Sequence, residues 1–120
     1  MMLQPLVENS INHGMRPSGE TLHIRLYGRV QGQEIIFTVK DDGIGMDNAR
    51  IYEILNEKLD RQSNRHTGFG VSGVNRRIKI LFGESYGISI QSEPGAGTSV
   101  TMTLKKELET EDRHENSTSR

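Results

Sequence analysis

The sequence contains no cysteine and no tryptophan, and only three prolines among 120 residues. Without cysteine there can be no disulfide, no thiolate zinc site and no cysteine nucleophile. Aromatic residues make up 5% of the chain, too few to build a stacking platform for single-stranded nucleic acid. Neither sign of charge prevails: 15 Lys and Arg stand against 16 Asp and Glu. No net field therefore draws in a polyanion, and nucleic acid is not an expected partner. No apolar run approaches the length of a membrane span, and no signal-peptide pattern opens the chain. With 32% hydrophobic residues and a mean hydropathy of −0.60, the core must be concentrated in a few elements. The expectation is one soluble, cytoplasmic domain.

What is present centres on Val39-Lys40-Asp41-Asp42-Gly43-Ile44-Gly45-Met46. An alternating run, Ile35 to Val39, reads as a strand with one buried face, and it ends in two carboxylates and two spaced glycines. Asp-Gly is a strong turn signal. The same ending can also bring a carboxylate and bare backbone against a flat polar ligand, because glycine has no side chain to hold the ligand off.

Around it the elements follow from periodicity. Residues 3 to 14 read as a helix with Leu3, Leu6, Val7, Ser10 and Ile11 as its buried stripe and Asn9, Asn12 and His13 opposite. Pro5 is tolerated in a first turn. Residues 21 to 30 alternate, with Leu22, Ile24 and Leu26 pointing one way and His23 and Arg25 the other. They form a hairpin with 34 to 40 through Gln31-Gly32-Gln33, its apolar face covered by helices. Asp47 or Asn48 caps a helix to about Leu59 with Ile51, Ile54 and Leu55 buried. A polar stretch from Asp60 to Gly68 reads as a mobile loop, and Val71, Val74, Ile78, Leu81 and Phe82 mark another amphipathic helix ending at Gly83. Strands over 86 to 92 and 98 to 105 flank the turn Glu93-Pro94-Gly95-Ala96-Gly97. Residues 107–120 read as a disordered polar tail.

Gly68-Phe69-Gly70 opening a helix offers backbone N–H groups to an anion, though two glycines in a loop carry the same pattern. A dinucleotide fold is disfavoured, since the motif follows a polar loop and not a strand. An asparagine such as Asn9 can give one oxygen to Mg²⁺, which keeps its other positions for water and phosphates; on an exposed helix face it more simply meets solvent.

Taken in order and spacing, these segments resemble the ATP-binding catalytic domain of sensor histidine kinases, in the Bergerat-fold superfamily with gyrase, heat-shock chaperone and mismatch-repair ATPases. Leu3-Gln4-Pro5-Leu6-Val7-Glu8-Asn9-Ser10-Ile11-Asn12-His13-Gly14 is similar to the N box in its LytS/YesM-type form. Asp41-Asp42-Gly43-Ile44-Gly45-Met46 resembles the G1 box, Thr67-Gly68-Phe69-Gly70-Val71 the G2 box, and Gly95-Ala96-Gly97-Thr98 the closing hairpin. The resemblance covers residues 3 to 105.

It implies an α/β (α+β) two-layer sandwich, a mixed, mostly antiparallel sheet of about four strands with helices on one face, occupying residues 1–106 and lacking the family's first strand and helix. Met1-Met2 running straight into a helical pattern suggests a piece of a longer protein. It implies ATP and Mg²⁺ as cofactors, with Asp41 reading the adenine amine, Gly43, Gly45 and Met46 shaping the base pocket, and Asn9 holding the metal. Gly68, Phe69, Gly70 and Val71 would present backbone to phosphate; Thr98 would bond near the base or serve as a strand residue; Asn12 would face the phosphates, and His13 would contact phosphate or the metal's water shell, or pack against the lid.

Several positions depart from the pattern or stay open. Pro5 stands where hydrolytic relatives keep a catalytic glutamate, which argues against rapid hydrolysis. Asn12 stands where many relatives have lysine, and Ser72 where the commoner kinases have a third glycine. Glu8 is the catalytic candidate beside Asn9, although it lies about 100° round the helix from it; Arg61 and Arg65 are either phosphate contacts or solvated loop charges.

The implied function is a protein-histidine kinase in the full-length protein, presenting the γ-phosphate to a histidine on an upstream dimerisation domain, on the cytoplasmic side of the membrane. A response regulator is the implied receiver. None of His13, His23, His66 or His114 has the acceptor's context, so this chain alone should not autophosphorylate. The unpaired sheet edge would suit a second copy. A serine kinase of the anti-sigma-factor type, and a non-catalytic nucleotide-binding or interaction module, are the alternative readings.

Overall fold

In a computed structural model, residues 3–56 and 70–106 are described. The sheet is built outward from the strand that ends in the acidic loop. Glu34–Asp41 (β2) pairs with Ile24–Gln31 (β1) on one side and Thr98–Lys105 (β4) on the other, and β4 pairs with Gly87–Ser92 (β3). The order is β1-β2-β4-β3, and all three pairings are antiparallel. Three helices, Gln4–Gly14 (α1), Asn48–Leu55 (α2) and Val71–Phe82 (α3), pack on β2, β4 and β3, giving the expected two layers.

Register explains the core. Val39 of β2 lies opposite Val100 of β4, and Phe37 opposite Met102. Val39, Val100 and Met102 are shut from solvent together with Leu6 of α1 and Ile78 of α3. Alternation sends one face of each strand to the helices, so these side chains form a single layer between sheet and helices. One position further along the same face, Asp41 pairs with Thr98, and both are buried. The apolar layer therefore ends in a polar corner.

Five sequence expectations change. The buried face of α1 is Pro5, Leu6, Asn9, Ser10 and Gly14; Leu3 and Val7 sit at its margin, and Ile11 is 47% exposed. The helix is rolled so that Asn9, expected on the outer side, faces inward. β1 begins at Ile24 rather than Thr21, because the His23 N–H is taken by Asp42 Oδ1 (2.9 Å) in place of a backbone carbonyl. Of the β1 face expected under helices, Ile24 packs against the core but the rest is open, with Leu26 50% and Val30 59% exposed. α2 stops at Leu55, where Asn56 caps the Tyr52 carbonyl with both its backbone N–H and its side chain. Strand β3 starts one residue later than expected, at Gly87, and the expected loop 60–68 and tail 107–120 lie outside the described residues.

The mouth of the β1–β2 hairpin is held by side chains. Asp42 accepts from the His23 backbone N–H through Oδ1 and from the His23 ring through Oδ2, with Nδ1 carrying the proton at 2.8 Å. These bonds, the backbone one foremost and then the ring, hold the Asp42 carboxyl below its ordinary value. A carboxyl whose pKa is lowered by folding contributes stability above its unfolded value and loses it as pH falls through the folded one. Comparison of Asp42→Asn with the native chain by thermal unfolding should show the native chain ahead at neutral pH. That lead should shrink below about pH 4, and a pH-independent difference would remove the carboxylate from this role.

Candidate functional site

Three backbone segments meet at the polar corner, and the glycines are where they touch. Gly43 lies so close to the C-terminal end of α1 that a Cβ there would overlap the backbone of Gly14. Gly45, at φ +74°, would likewise overlap the backbone of Glu93 in the β3–β4 turn, and Gly97 that of Asp41. No side chain fits in these contacts, and a positive φ disfavours one besides. Hydrogen bonds close them: the Ile44 N–H donates to the Gly14 carbonyl at 3.0 Å, and the Gly95 N–H to the Ile44 carbonyl.

Two polar side chains complete the junction, and sequence periodicity gave no signal for either. The Arg16 guanidinium donates to the carbonyls of Gly43 (3.0 Å) and Asp42 (3.4 Å), and at 3.5 Å to that of Gly95. It bridges the acidic loop to the β3–β4 turn. Ser92 Oγ accepts from the Met46 N–H at 2.8 Å, donates to the Gly97 carbonyl at 2.7 Å and meets Thr98 Oγ1 at 2.8 Å. In sequence Arg16 is one residue of a turn and Ser92 the last of a strand; only their three-dimensional neighbours give them this role.

Within this frame Asp41 is 5% exposed. Its Oδ1 accepts from the Gly43 N–H at 2.9 Å, while Oδ2 makes no hydrogen bond with any described residue. A carboxylate half satisfied by its own loop keeps two lone pairs for a donor from outside. A cavity of about 540 Å³ opens beside it, walled by Asp41, Ser92, Gly97 and Thr98 at the strand ends and by Asn48 and Ile51 of α2. That is the size range of small-molecule sites.

Asn9 is the second feature. It is 7% exposed, yet its carboxamide makes no hydrogen bond with a described residue. Its amide atoms are not sealed from solvent, so they stay open to water or a ligand. Neighbouring Ser10 is enclosed, and its Oγ has no partner among the described residues. α1 thus presents an open carboxamide at the edge of its buried face, which suits a ligand's cation or water. Among the described residues no cluster of three or more His or acidic side chains could hold a metal alone. A cation held here would need most of its ligands from a bound polyanion and water, a pattern that fits Mg²⁺.

The other expected site residues fall into place unevenly. His13 is half-buried one turn beyond Asn9, and Asn12 is exposed beside it. His13 Nδ1 accepts from Arg50 Nη2 at 3.1 Å, a contact between α1 and α2. Met46 is 5% exposed within the core cluster. Gly70 is the N-cap of α3, without a side-chain cap, and Val71 is buried at its first turn. Gly68 and Phe69 lie outside the described residues. Neither Asn9, His13 nor the α3 start lines the 540 Å³ cavity; they are linked to Asp41 through α1, whose Gly14 packs on it. Glu8 points away, its Oε2 accepting from Gln4 at 2.9 Å on the exposed side.

Comparison with known proteins agrees with this architecture. The chain is 35% identical over 104 residues to the sensor histidine kinase YesM of Bacillus subtilis, covering 87% of this chain and 16% of that protein. It is 31% identical over 102 residues to the sensor histidine kinase BtsS of Escherichia coli, covering 85% and 16%. The sensor protein LytS of Bacillus anthracis is 28% identical over 112 residues, with 93% and 19% covered. The chain therefore spans less than a fifth of the length of these relatives. Among solved structures, the catalytic domain of the histidine kinase ThkA matches with a TM-score of 0.63 at 18% identity, over 88% of this chain and 63% of that one. The Erythrobacter litoralis EL346 blue-light activated histidine kinase matches at 0.64 and 18%, over 91% and 30%. At such identities the structures speak for the fold. The profile of the family described as histidine kinase-, DNA gyrase B- and HSP90-like ATPases matches residues 1–108, and the chain belongs to that family.

Proposed function

We propose that this chain binds ATP with Mg²⁺ and, within a full-length sensor histidine kinase, positions the γ-phosphate for transfer to a histidine of an upstream dimerisation domain. The observation that supports it most is the pair of open polar groups on either side of the α1–loop junction. Asp41 keeps one carboxylate oxygen for a donor, and Asn9, on the inner face of α1, keeps an open carboxamide for a cation or its water. The exocyclic amine of adenine is such a donor; guanine places an acceptor there and would leave Asp41 unpaired.

The chemistry asked of this chain is positioning. In transfer to a histidine, the bond from the γ-phosphorus to the bridging oxygen breaks, a phosphorus–nitrogen bond forms, and ADP departs. Such a reaction depends on alignment and charge neutralisation rather than on a covalent role for the kinase. Bound Mg²⁺ would supply the charge neutralisation. Asn9 would hold it, while Thr98 and Ser92 brace the base end and the α3 start offers backbone N–H groups. A hydrolytic base is not placed one turn before Asn9, where Pro5 stands buried, and Glu8 is turned outward. Transfer is favoured over hydrolysis on that ground.

The wider reading follows the relatives named above: a response regulator receives the phosphoryl group, and the full-length protein acts on the cytoplasmic side of a membrane. No helix among the described residues is long and apolar enough to cross a membrane. The β1 edge is where a further strand or a second copy would pair, because its ladder groups on that side have no partner strand among the described residues.

Calorimetry of Asp41→Asn should show ATP binding weakened by about 2 kcal/mol, roughly 30-fold. Asparagine keeps the bond to the Gly43 N–H but turns an amide donor toward the adenine amine. Unchanged affinity would take Asp41 out of base recognition. Asn9→Ala should remove the magnesium dependence of ATP binding while leaving the melting temperature equal or higher, because the native carboxamide bonds to none of the described residues. A variant that melts lower and keeps its magnesium dependence would make Asn9 structural. In the full-length protein, labelled ATP should give an acid-labile, alkali-stable phosphohistidine, and the 120-residue chain alone should give none; labelling on serine would instead support an anti-sigma-factor-type kinase.

A further inference from the structure

The path a nucleotide would take across α1 is set by helix geometry, and it passes a cation that no sequence motif contains. This inference rests on the ATP reading above. Gly14 packs on Asp41 at the base end, and Asn9 marks the metal end. The two are five residues apart on α1, about 7.5 Å along its axis. His13 lies between them, one turn from Asn9 and so about 5–6 Å from it. A polyphosphate running from an adenine at Asp41 to a cation at Asn9 must pass His13.

Arg50 stands over that point. Its Nη2 donates to His13 Nδ1 at 3.1 Å, and its Nη1 pairs with Glu53 Oε1 at 2.8 Å on the same helix. Its backbone N–H bonds to the Asp47 cap, so the residue is fixed at the first turn of α2 while its side chain spans to α1. Neither side-chain partner is a demanding one. Imidazole nitrogen is a neutral acceptor, and the Glu53 pair is largely exposed, worth little once solvent screens it. Arg16, by contrast, is spent on three loop carbonyls. A phosphate oxygen is a stronger acceptor than either partner of Arg50 and suits the guanidinium fork.

We infer that Arg50 is the polyphosphate-binding cation of this site, docked on His13 when nucleotide is absent and transferred from the imidazole to a phosphate oxygen when ATP binds. The inference assigns a binding role to a residue outside the four family-like segments. It also gives His13 a role as the resting partner of Arg50.

The test compares adenosine with ATP. In Arg50→Gln, titrated calorimetrically with Mg²⁺ present, ATP affinity should fall about tenfold while adenosine affinity stays at the native value. Arg50→Lys should recover part of the loss, and native ATP binding should fall more steeply with added salt than that of Arg50→Gln. Glu53→Gln, which frees the guanidinium, should leave adenosine binding unchanged and raise ATP affinity. An equal loss for adenosine and ATP would make Arg50 part of the framework, and no loss for ATP would exclude the contact; either overturns the inference while the ATP site stands. Should Arg50→Gln fail to fold, the Glu53→Gln and Arg50→Lys results decide: unchanged ATP affinity in both overturns it. A native chain that binds neither adenosine nor ATP would overturn the underlying reading as well.

Discussion

The structure depends on a close backbone contact between the end of α1 and the loop that follows β2. With Gly43 against Gly14 and the Ile44 N–H on the Gly14 carbonyl, helix and strand end are held at a fixed separation. That separation fixes Asp41 of the sheet relative to the helix that carries Asn9, as the proposed ATP site requires. The β3–β4 turn is tied to the same loop through Gly45, Gly95 and the Arg16 guanidinium. Three segments far apart in sequence thus share one junction, and the apolar layer of Leu6, Val39, Val100 and Ile78 supports it from beneath.

Most elements were legible because their periodicity and their punctuation agreed. β2 alternates and ends at Asp-Asp-Gly; α3 carries apolar residues at helical spacing and stops at Gly83. Where the reading drifted, tertiary contacts had overridden local pattern. Ile11 is apolar at the right spacing to be buried, yet α1 turns Asn9 inward and leaves Ile11 half exposed. Leu26 and Val30 alternate as if covered, but the three described helices lie over the other strands. α2 is shortened by Asn56, whose side chain competes for the Tyr52 carbonyl, an effect that no hydrophobic count registers.

The site was legible in kind but not in arrangement. Asp41, Asn9 and Thr98 stand out by residue type and position, and Asp41 and Thr98 do lie opposite each other across β2 and β4. Arg16, Ser92 and Arg50 do not stand out. Each acts in part through partners far along the chain, up to 79 residues away for Arg16, 37 for Arg50 and 46 for Ser92, which one sequence cannot reveal. The unsatisfied carboxamide of Asn9 is likewise invisible without coordinates, since burial and the lack of a partner must be seen together.

The glycines of the acidic loop and the closing hairpin have a further consequence for how the family pattern is read. Gly43, Gly45 and Gly97 are required by chain pressing on chain, with or without a nucleotide. A relative that bound no nucleotide would still have to keep them in order to fold. Asn9, which bonds to no described residue, carries no such constraint. Glycine spacing therefore certifies the architecture, and the helix amide is the position to inspect when asking whether the proposed ATP site survives.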